Sequence, residues 1–299
     1  MTGATGFVGA EALAQALAAG HHVTALTRRP QPATAGVEWV SGTLQDADAL
    51  DKLVRGSDVV LHIAGTVNAP GRAGFEAGNV TGTANVIAAM HRTGVRRLVH
   101  VSSLAARQPA LSDYCWSKFR AEENVCASGL DWTIVRPPAV YGPRDTEFFE
   151  VLRVARYGWL PVPSAGRASL IHVRDLARAL LATCSTAGGA YDGQTWEVDD
   201  GAPNGLSHLE LAAAMGRALH RKVRAIPLPQ AILMRFASID RLLRGRHAKL
   251  TPDRVRYMCY PDWVVDPARK PPPALWAPQI GIDGGLAEIA LPFRAANRS

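Results

Sequence analysis

Short, nearly continuous apolar runs alternate with helical spacing along the first half of the chain. His22–Thr27, Asp58–Ala64, Arg97–Val101 and Trp132–Val135 read as strands. A strand covered by helices on both faces is apolar throughout, whereas a half-exposed strand alternates. Between these runs, Ala10–Leu17, Ala47–Arg55, Phe75–Thr93 and Ser112–Ser128 have the spacing of helices. Strand and helix in strict alternation predict an α/β fold, a doubly wound parallel sheet. After about Gly142 the pattern loosens, and prolines interrupt it at 161, 163, 203, 227 and 229. Short helices at Val173–Thr183 and Ser207–Leu219 mix there with short strands. The division expected is a core at 1–145 and a smaller, mainly substrate-binding region at 146–299, with some segments returning to the core. Lys270–Pro273 reads as a stiff linker before a last helix near Gly284–Ala295.

At 299 residues, 47% hydrophobic and 20% charged, the chain has the composition of a globular protein with a sizeable core. No run is long enough to span a bilayer, and no leader segment is visible. Cys115, Cys126, Cys184 and Cys259 are scattered with no paired spacing, so no metal site is expected, and a reducing cytoplasm fits them. Cys115 reads as a buried, inert thiol.

The net charge of +7 is concentrated in one stretch. Residues 217–256 hold eleven Lys and Arg against Asp240 and Asp253, about +9. Within it, Ala231, Ile232, Leu233, Phe236, Ile239, Leu242 and Leu243 form an apolar helical face, with Arg235, Arg241 and Arg244 alongside. Such a basic amphipathic helix either lies on an anionic membrane surface or packs over a substrate pocket with its basic face in water. No nucleic-acid-binding pattern accompanies the charge.

Gly3, Gly6 and Gly9 form a G-x-x-G-x-x-G turn leading straight into a helix. Gly3 suits the tight turn, Gly6 a close approach to a pyrophosphate, and Gly9 helix–sheet packing. The helix start offers free N–H groups to phosphate. Only Met1 and Thr2 precede this turn, so the first strand reads as truncated. Either a start codon has been misplaced, or another segment pairs in that slot.

Tyr114 and Lys118 are four apart on a predicted helix and share a face. An ammonium beside a phenol favours the phenolate, so Lys118 is expected to lower the Tyr114 pKa. Ser102 and Ser103 end the strand at Val101, where side chains enter the ligand crevice of a parallel sheet. Ser103 is the candidate for chemistry and Ser102 for a cap or turn.

Several motifs recur in one order: Thr2–Gly9, Asp58–Gly65, Asn79–Asn85, Val101–Ser103, Tyr114–Lys118, Arg136–Pro143 and Ile171–Ala177. In this the chain resembles the extended short-chain dehydrogenases/reductases of the NAD(P)-dependent epimerase/dehydratase superfamily. The resemblance covers roughly residues 2–185. It implies a Rossmann core, with Tyr114 as acid/base, Lys118 as its partner and Ser103 orienting the reacting oxygen. It further implies that Gly3, Gly6, Phe7 and Val8 contact the pyrophosphate. Ala64, Gly65 and Thr66 would line the adenosine ribose, and Pro137 to Val140 the nicotinamide. Asn79 would support the geometry. Thr43 and Leu44 stand where the family touches adenine, and Thr43 replaces the usual acid.

Where NAD enzymes of this fold carry an acid at the end of strand two, this chain has Arg28 and Arg29. That favours NADP(H), with NAD(H) also possible. Pro138 replaces an asparagine common in sugar-nucleotide members, pointing to ketones and alcohols. The expected activity is hydride transfer between nicotinamide and a carbonyl or secondary alcohol. The alternatives are a nucleotide-sugar epimerase or dehydratase with retained cofactor, and a non-catalytic NADP(H)-binding assembly subunit. The resemblance also suggests a homodimer through the two long helices.

Overall fold

The apolar runs of the first half become parallel strands because helices cover both of their faces. The computed structural model describes residues 1–185, 191–245, 248 and 250–295. The chain runs α1 (Phe7–Ala18), β1 (Val23–Thr27), β2 (Val37–Ser41), α2 (Ala47–Val54), β3 (Val60–His62), α3 (Arg72–Phe75), a π-turn (Glu76–Thr81), α4 (Gly82–Thr93), β4 (Arg97–Val101), a 3-10 turn (Leu104–Arg107), α5 (Asp113–Cys126) and β5 (Asp131–Arg136). It continues through β6 (Ala139–Tyr141), α6 (Thr146–Ala155), β7 (Trp159–Pro163), β8 (Arg167–Ala168), β9 (Leu170–His172), α7 (Val173–Cys184), β10 (Gln194–Glu197), β11 (Leu206–Ser207), α8 (His208–Ala218), β12 (Arg224–Leu228), α9 (Gln230–Arg244), α10 (Pro252–Met258), β13 (Asp262–Trp263), α11 (Ile282–Ile289) and α12 (Leu291–Ala295).

Four parallel strands lie in the order β10-β5-β4-β3, and β1 pairs in parallel with β2. Met1 and Thr2 sit between the two groups. Thr2 bridges to His62, its N–H donating to Leu61 O at 3.0 Å, while Leu26 N–H donates to Met1 O at 3.0 Å. The combined order, β2-β1-(1–2)-β3-β4-β5-β10, is that of a doubly wound Rossmann sheet. Successive strand residues face opposite sides, so Leu98 and Ile134 pack under α2 and α4, and Val99 and Val135 pack with Leu176 and Leu180 of α7.

The C-terminal region has its own core of Tyr141, Leu152, Leu160, Met215 and Leu286. β6 pairs with β9 and β7 with β12, while β10 returns to the edge of the main sheet. Glu197, at the end of β10, is fully buried; it binds Arg107 at 3.3 Å and Arg136 at 3.5 Å and accepts from Asp266 N–H at 3.0 Å. Arg136 also forks onto Glu122, with a 2.8 Å bond from Nε. This network ties the sheet edge to the 262–266 segment. By contrast, α9 and α10 are joined by a small cluster of Leu233, Ala237 and Val255.

Three expectations change. The helix expected at Phe75–Thr93 begins at Arg72 and is widened by the π-turn around Asn79. Lys270–Pro273 is no free linker: Lys270 Nζ binds the buried Asp199 at 2.8 Å, and Pro271 is buried. The last helix starts earlier, at Ile282, and is broken after Ile289, where Pro292 in the first turn of α12 restricts continuation.

Candidate active site

β4 ends at the candidate catalytic residues. Ser102 N–H donates to Val135 O at 2.8 Å and Leu104 N–H to Pro137 O at 3.0 Å, which fixes the chain leaving β4 against the chain leaving β5. Ser103 is extended and caps the 3-10 turn, its Oγ accepting from Ala105 N–H at 3.2 Å. The serine expected to cap was Ser102. It does not: its hydroxyl is buried and makes no hydrogen bond within the described residues. Ser103 directly precedes the turn with an extended backbone (φ −164°, ψ 154°), so the cap falls there.

Two acceptors start α5. Ser112 Oγ accepts from Cys115 N–H at 3.0 Å, and the Asp253 carboxylate, reaching over from α10, accepts from Asp113 N–H at 2.7 Å. The start of the helix thereby presents Tyr114 beside Ser103. The Tyr114 ring lies 5.9 Å from Phe75 and 5.7 Å from Tyr257, centroid to centroid. Desolvation by this packing raises the phenol pKa, and a side-chain hydrogen bond to Ser103 opposes part of that rise. The expected lowering by Lys118 is therefore not found. Lys118 turns instead to the sheet, its Nζ donating to Val101 O at 2.9 Å. It is 6% exposed, and burial brings its pKa down to about 8. Cys115 is fully buried, and desolvation raises its thiol to about 11, as an inert neighbour requires.

Below Lys118, His62 and His100 sit side by side on β3 and β4, their rings 5.3 Å apart. Burial first, and the Lys118 charge second, lower both pKa values, that of His62 to about 3. Two neutral imidazoles thus floor the site. His62 also contacts Thr2 Oγ1 at 2.7 Å and Thr83 Oγ1 at 3.0 Å, so it locks the glycine turn to α4.

The glycine turn meets the end of β3 as the sequence predicts. Gly3 has φ +74°, and a Cβ there would lie 2.7 Å from Ala64 N. On Gly9 a Cβ would lie 2.0 Å from Gly3 O. Gly6 caps α1 without a side chain, and the first turn, with Phe7 and Val8, carries no acid. Its N–H groups remain available to an anion. Asn79, held in the π-turn, accepts from Thr66 N–H at 2.6 Å and donates to Thr66 O at 2.9 Å and Ser117 Oγ at 2.8 Å. A Cβ on Gly65 would lie 3.0 Å from Asn79 Oδ1 and 3.9 Å from Lys118 Nζ. Gly3, Ala64, Gly65, Thr66, Asn79 and Lys118 are thereby linked into one continuous wall. Its bare glycines and helix N-terminus form a cradle with the chemistry to hold a dinucleotide.

Leu44, Thr43 and the two arginines lie further along. Leu44 O accepts from Asn85 Nδ2 at 2.8 Å, while the Thr43 hydroxyl accepts from Gln45 N–H at 3.2 Å within its own turn. Gly42 N–H donates to Thr27 O at 2.9 Å, which sets exposed Arg28 and Arg29 beside Thr43. Pro137 is buried against the Ser103 segment, and Val140 pairs with Ile171 across β6 and β9. Among the described residues no group of three or more metal-ligating side chains is present. Sequence reasoning missed Asp253 and Tyr257. Their spacing of four places both on one face of α10, but nothing local says that this face meets Tyr114.

A doubly wound sheet with a glycine cradle and a Ser-Tyr-Lys set defines a nicotinamide-dinucleotide enzyme class. The NAD(P)H-binding family matches residues 3–184, and the chain belongs to it, within the extended short-chain dehydrogenase/reductase superfamily. A ceramide reductase of Caulobacter vibrioides is 36% identical, with 99% of this chain and 94% of that protein covered. A 2-alkyl-3-oxoalkanoate reductase of Stenotrophomonas maltophilia is 30% identical, with 97% of each covered. Among solved structures, MoeE5 in complex with UDP-glucuronic acid and NAD superposes with a TM-score of 0.74 at 22% identity over 98% of both chains. That likeness carries the fold. The chain is an NAD(P)-dependent oxidoreductase of the extended type.

Proposed function

We propose that this enzyme uses NADPH to reduce a ketone carried on a long apolar chain to a secondary alcohol. The observation that carries the reading is Tyr114, hydrogen-bonded to Ser103 at the end of β4, with Lys118 reaching the same strand end and the glycine cradle alongside. A reduced nicotinamide supplies the hydride to the carbonyl carbon. Ser103 donates a hydrogen bond to the carbonyl oxygen and aligns it. Tyr114, kept protonated by its raised pKa, donates its proton to that oxygen as the new C–H bond forms. Lys118, charged below about pH 8, holds the cofactor ribose.

Arg28 and Arg29, exposed beside Gly42 and Thr43, support NADPH, because a guanidinium fork matches a 2′-phosphate. Relatives named for a ceramide, a farnesylated quinoline oxide and a 2-alkyl-3-oxoalkanoate support this substrate class. The test is to incubate the enzyme with NADPH and a 2-alkyl-3-oxo acid or an acylated amino ketone. Equal amounts of NADP and alcohol should appear. Epimerised product with no net NADPH use, or no turnover on any ketone, would sink the reading. Arg28→Ala should weaken NADPH about tenfold more than NADH; equal weakening would remove the NADPH preference.

A further inference from the structure

α9 carries an apolar stripe that the rest of the fold does not cover. Ile232, Phe236, Ile239 and Leu243 recur at four, three and four residues along Gln230–Arg244, which sets them on one narrow face. They are 39%, 52%, 51% and 77% exposed, and neighbouring Leu242 is 84% exposed. The packed face of the helix is a different one, with Leu233 and Ala237 against Val255 of α10. Singly exposed apolar residues are ordinary, but five along about three helical turns form a patch that marks a contact site.

The charge around it chooses the occupant. Exposed Arg235 flanks the stripe, exposed Arg241 and Arg244 sit in the last turn, and β12, which leads into α9, opens with exposed Arg224. The acid of this helix, Asp240, is answered by Arg244 at 3.2 Å and accepts from Leu250 N–H at 2.9 Å. Arg246 and Lys249, which complete the basic stretch, lie outside the described residues. A second copy set face to face on α9 would bring like charges together. The apolar stripe, with Arg235 on its flank and a basic stretch around it in the chain, fits an anionic lipid surface, where the stripe enters the acyl boundary and Arg235 meets headgroups. Among the described residues no helix is long and apolar enough to cross a membrane.

The location gives the contact a purpose. α9 is mounted on α10, and α10 places Tyr257 on the Tyr114 ring and Asp253 on the start of α5. We propose that α9 docks the enzyme on an anionic phospholipid surface, so that α10 faces the bilayer from which a lipophilic ketone reaches Tyr114. The docking rests on the stripe and its charge; the delivery step rests on the ketone reading given above.

The test uses the full chain and two vesicle preparations, phosphatidylcholine alone and phosphatidylcholine with about a third phosphatidylglycerol. The enzyme should sediment with the anionic vesicles at low salt, release as salt rises, and stay in solution with the neutral ones. Phe236→Ser with Leu243→Ser should weaken the binding at least tenfold. It should leave NADPH affinity and thermal melting unchanged, since neither side chain is buried. No sedimentation with anionic vesicles, or equal sedimentation of the double variant, overturns the docking. A dimer that the double variant dissociates, without vesicle binding, overturns it in favour of a second copy. Ketone turnover separates the two readings. Vesicle binding without turnover of any ketone leaves the docking intact and removes the substrate reading. Turnover of a soluble ketone without vesicle binding does the reverse.

Discussion

The floor of the site and its cover are built differently. On the floor, Tyr114, Lys118, Ser103 and Asn79 stand on a sheet and helices whose inner faces are closed by apolar packing, and Lys118 and Asn79 are held by buried hydrogen bonds. The cover, α9 and α10, is joined by Leu233, Ala237 and Val255 and exposes most of its remaining apolar side chains. Proton transfer needs groups fixed to a fraction of an ångström, and only dense packing supplies that. Admission of a large apolar substrate needs a surface that gives, and a sparse core supplies that. Under the proposed function, one chain would thus separate rigid chemistry from compliant access.

The largest effect should come from the floor. Tyr114→Phe keeps the ring contacts to Phe75 and Tyr257 and deletes the proposed proton donor. We expect kcat to fall about 10³-fold with NADPH affinity unchanged. If kcat survives, the proton comes from elsewhere and the floor is not the chemical half.

Packing offers a direct test of the contrast. Leu98 is fully buried in the large cluster under α2 and α4, and Leu233 is 8% exposed in the small cluster of the cover. Leu98→Ala should cost about 3–5 kcal/mol and Leu233→Ala about 2 kcal/mol. Chemical denaturation of both variants measures this. Equal costs would mean that the cover is as cooperative as the floor.

Asn79 tests whether the floor depends on its polar bonds. It is 2% exposed and holds both polar groups of the Thr66 backbone as well as Ser117. Asn79→Ala strands those groups and should cost about 2–3 kcal/mol. It should also weaken cofactor binding, because Thr66 follows the Gly65 approach to Lys118. A variant that melts like the parent would show that the π-turn, not the side chain, fixes that loop.

Much of this floor was legible in the sequence. Apolar continuity gave the buried strands, and the glycine spacing gave the turn that presses Gly3 against Ala64. The four-residue spacing placed Tyr114 and Lys118 on one helix face. What local spacing does not carry is what lies across the site. The sequence led to a lowered Tyr114 pKa through Lys118, yet Tyr257, distant in the chain, desolvates the phenol, and Val101 O draws the ammonium away. The same holds for Asp253, whose role depends on α10 folding back onto α5. The amphipathic helix was visible, but which of its apolar residues would be packed depended on α10.

Lys118 gives a smaller, pH-dependent effect. Its pKa, lowered to about 8 by burial, puts the charged form below that value and the neutral form above it. The charge proposed to hold the cofactor ribose is therefore present below about pH 8 and lost as pH rises through it. For reduction, kcat/KM should be level on the acid side and fall about tenfold per pH unit on the alkaline side. In Lys118→Met the profile should be lower and level throughout. A profile that keeps its alkaline fall in that variant would assign the titration to another group.

The smallest effect should come from the exposed stripe of the cover. Phe236 is 52% exposed on α9 and belongs to no buried cluster, whereas Leu233 of the same helix does. Phe236→Ser removes little packed surface and keeps a helix that other residues anchor. The change in stability should stay within about 0.5 kcal/mol, in contrast with the loss at Leu233. Side chains three residues apart on one helix would then differ severalfold in what they contribute to folding. The large, near-neutral residue would be the one whose conspicuous apolar surface folding does not use. A loss at Phe236 as large as that at Leu233 would mean that the stripe is packed in solution, against this chain or a second copy, and the division between rigid floor and open cover would fall.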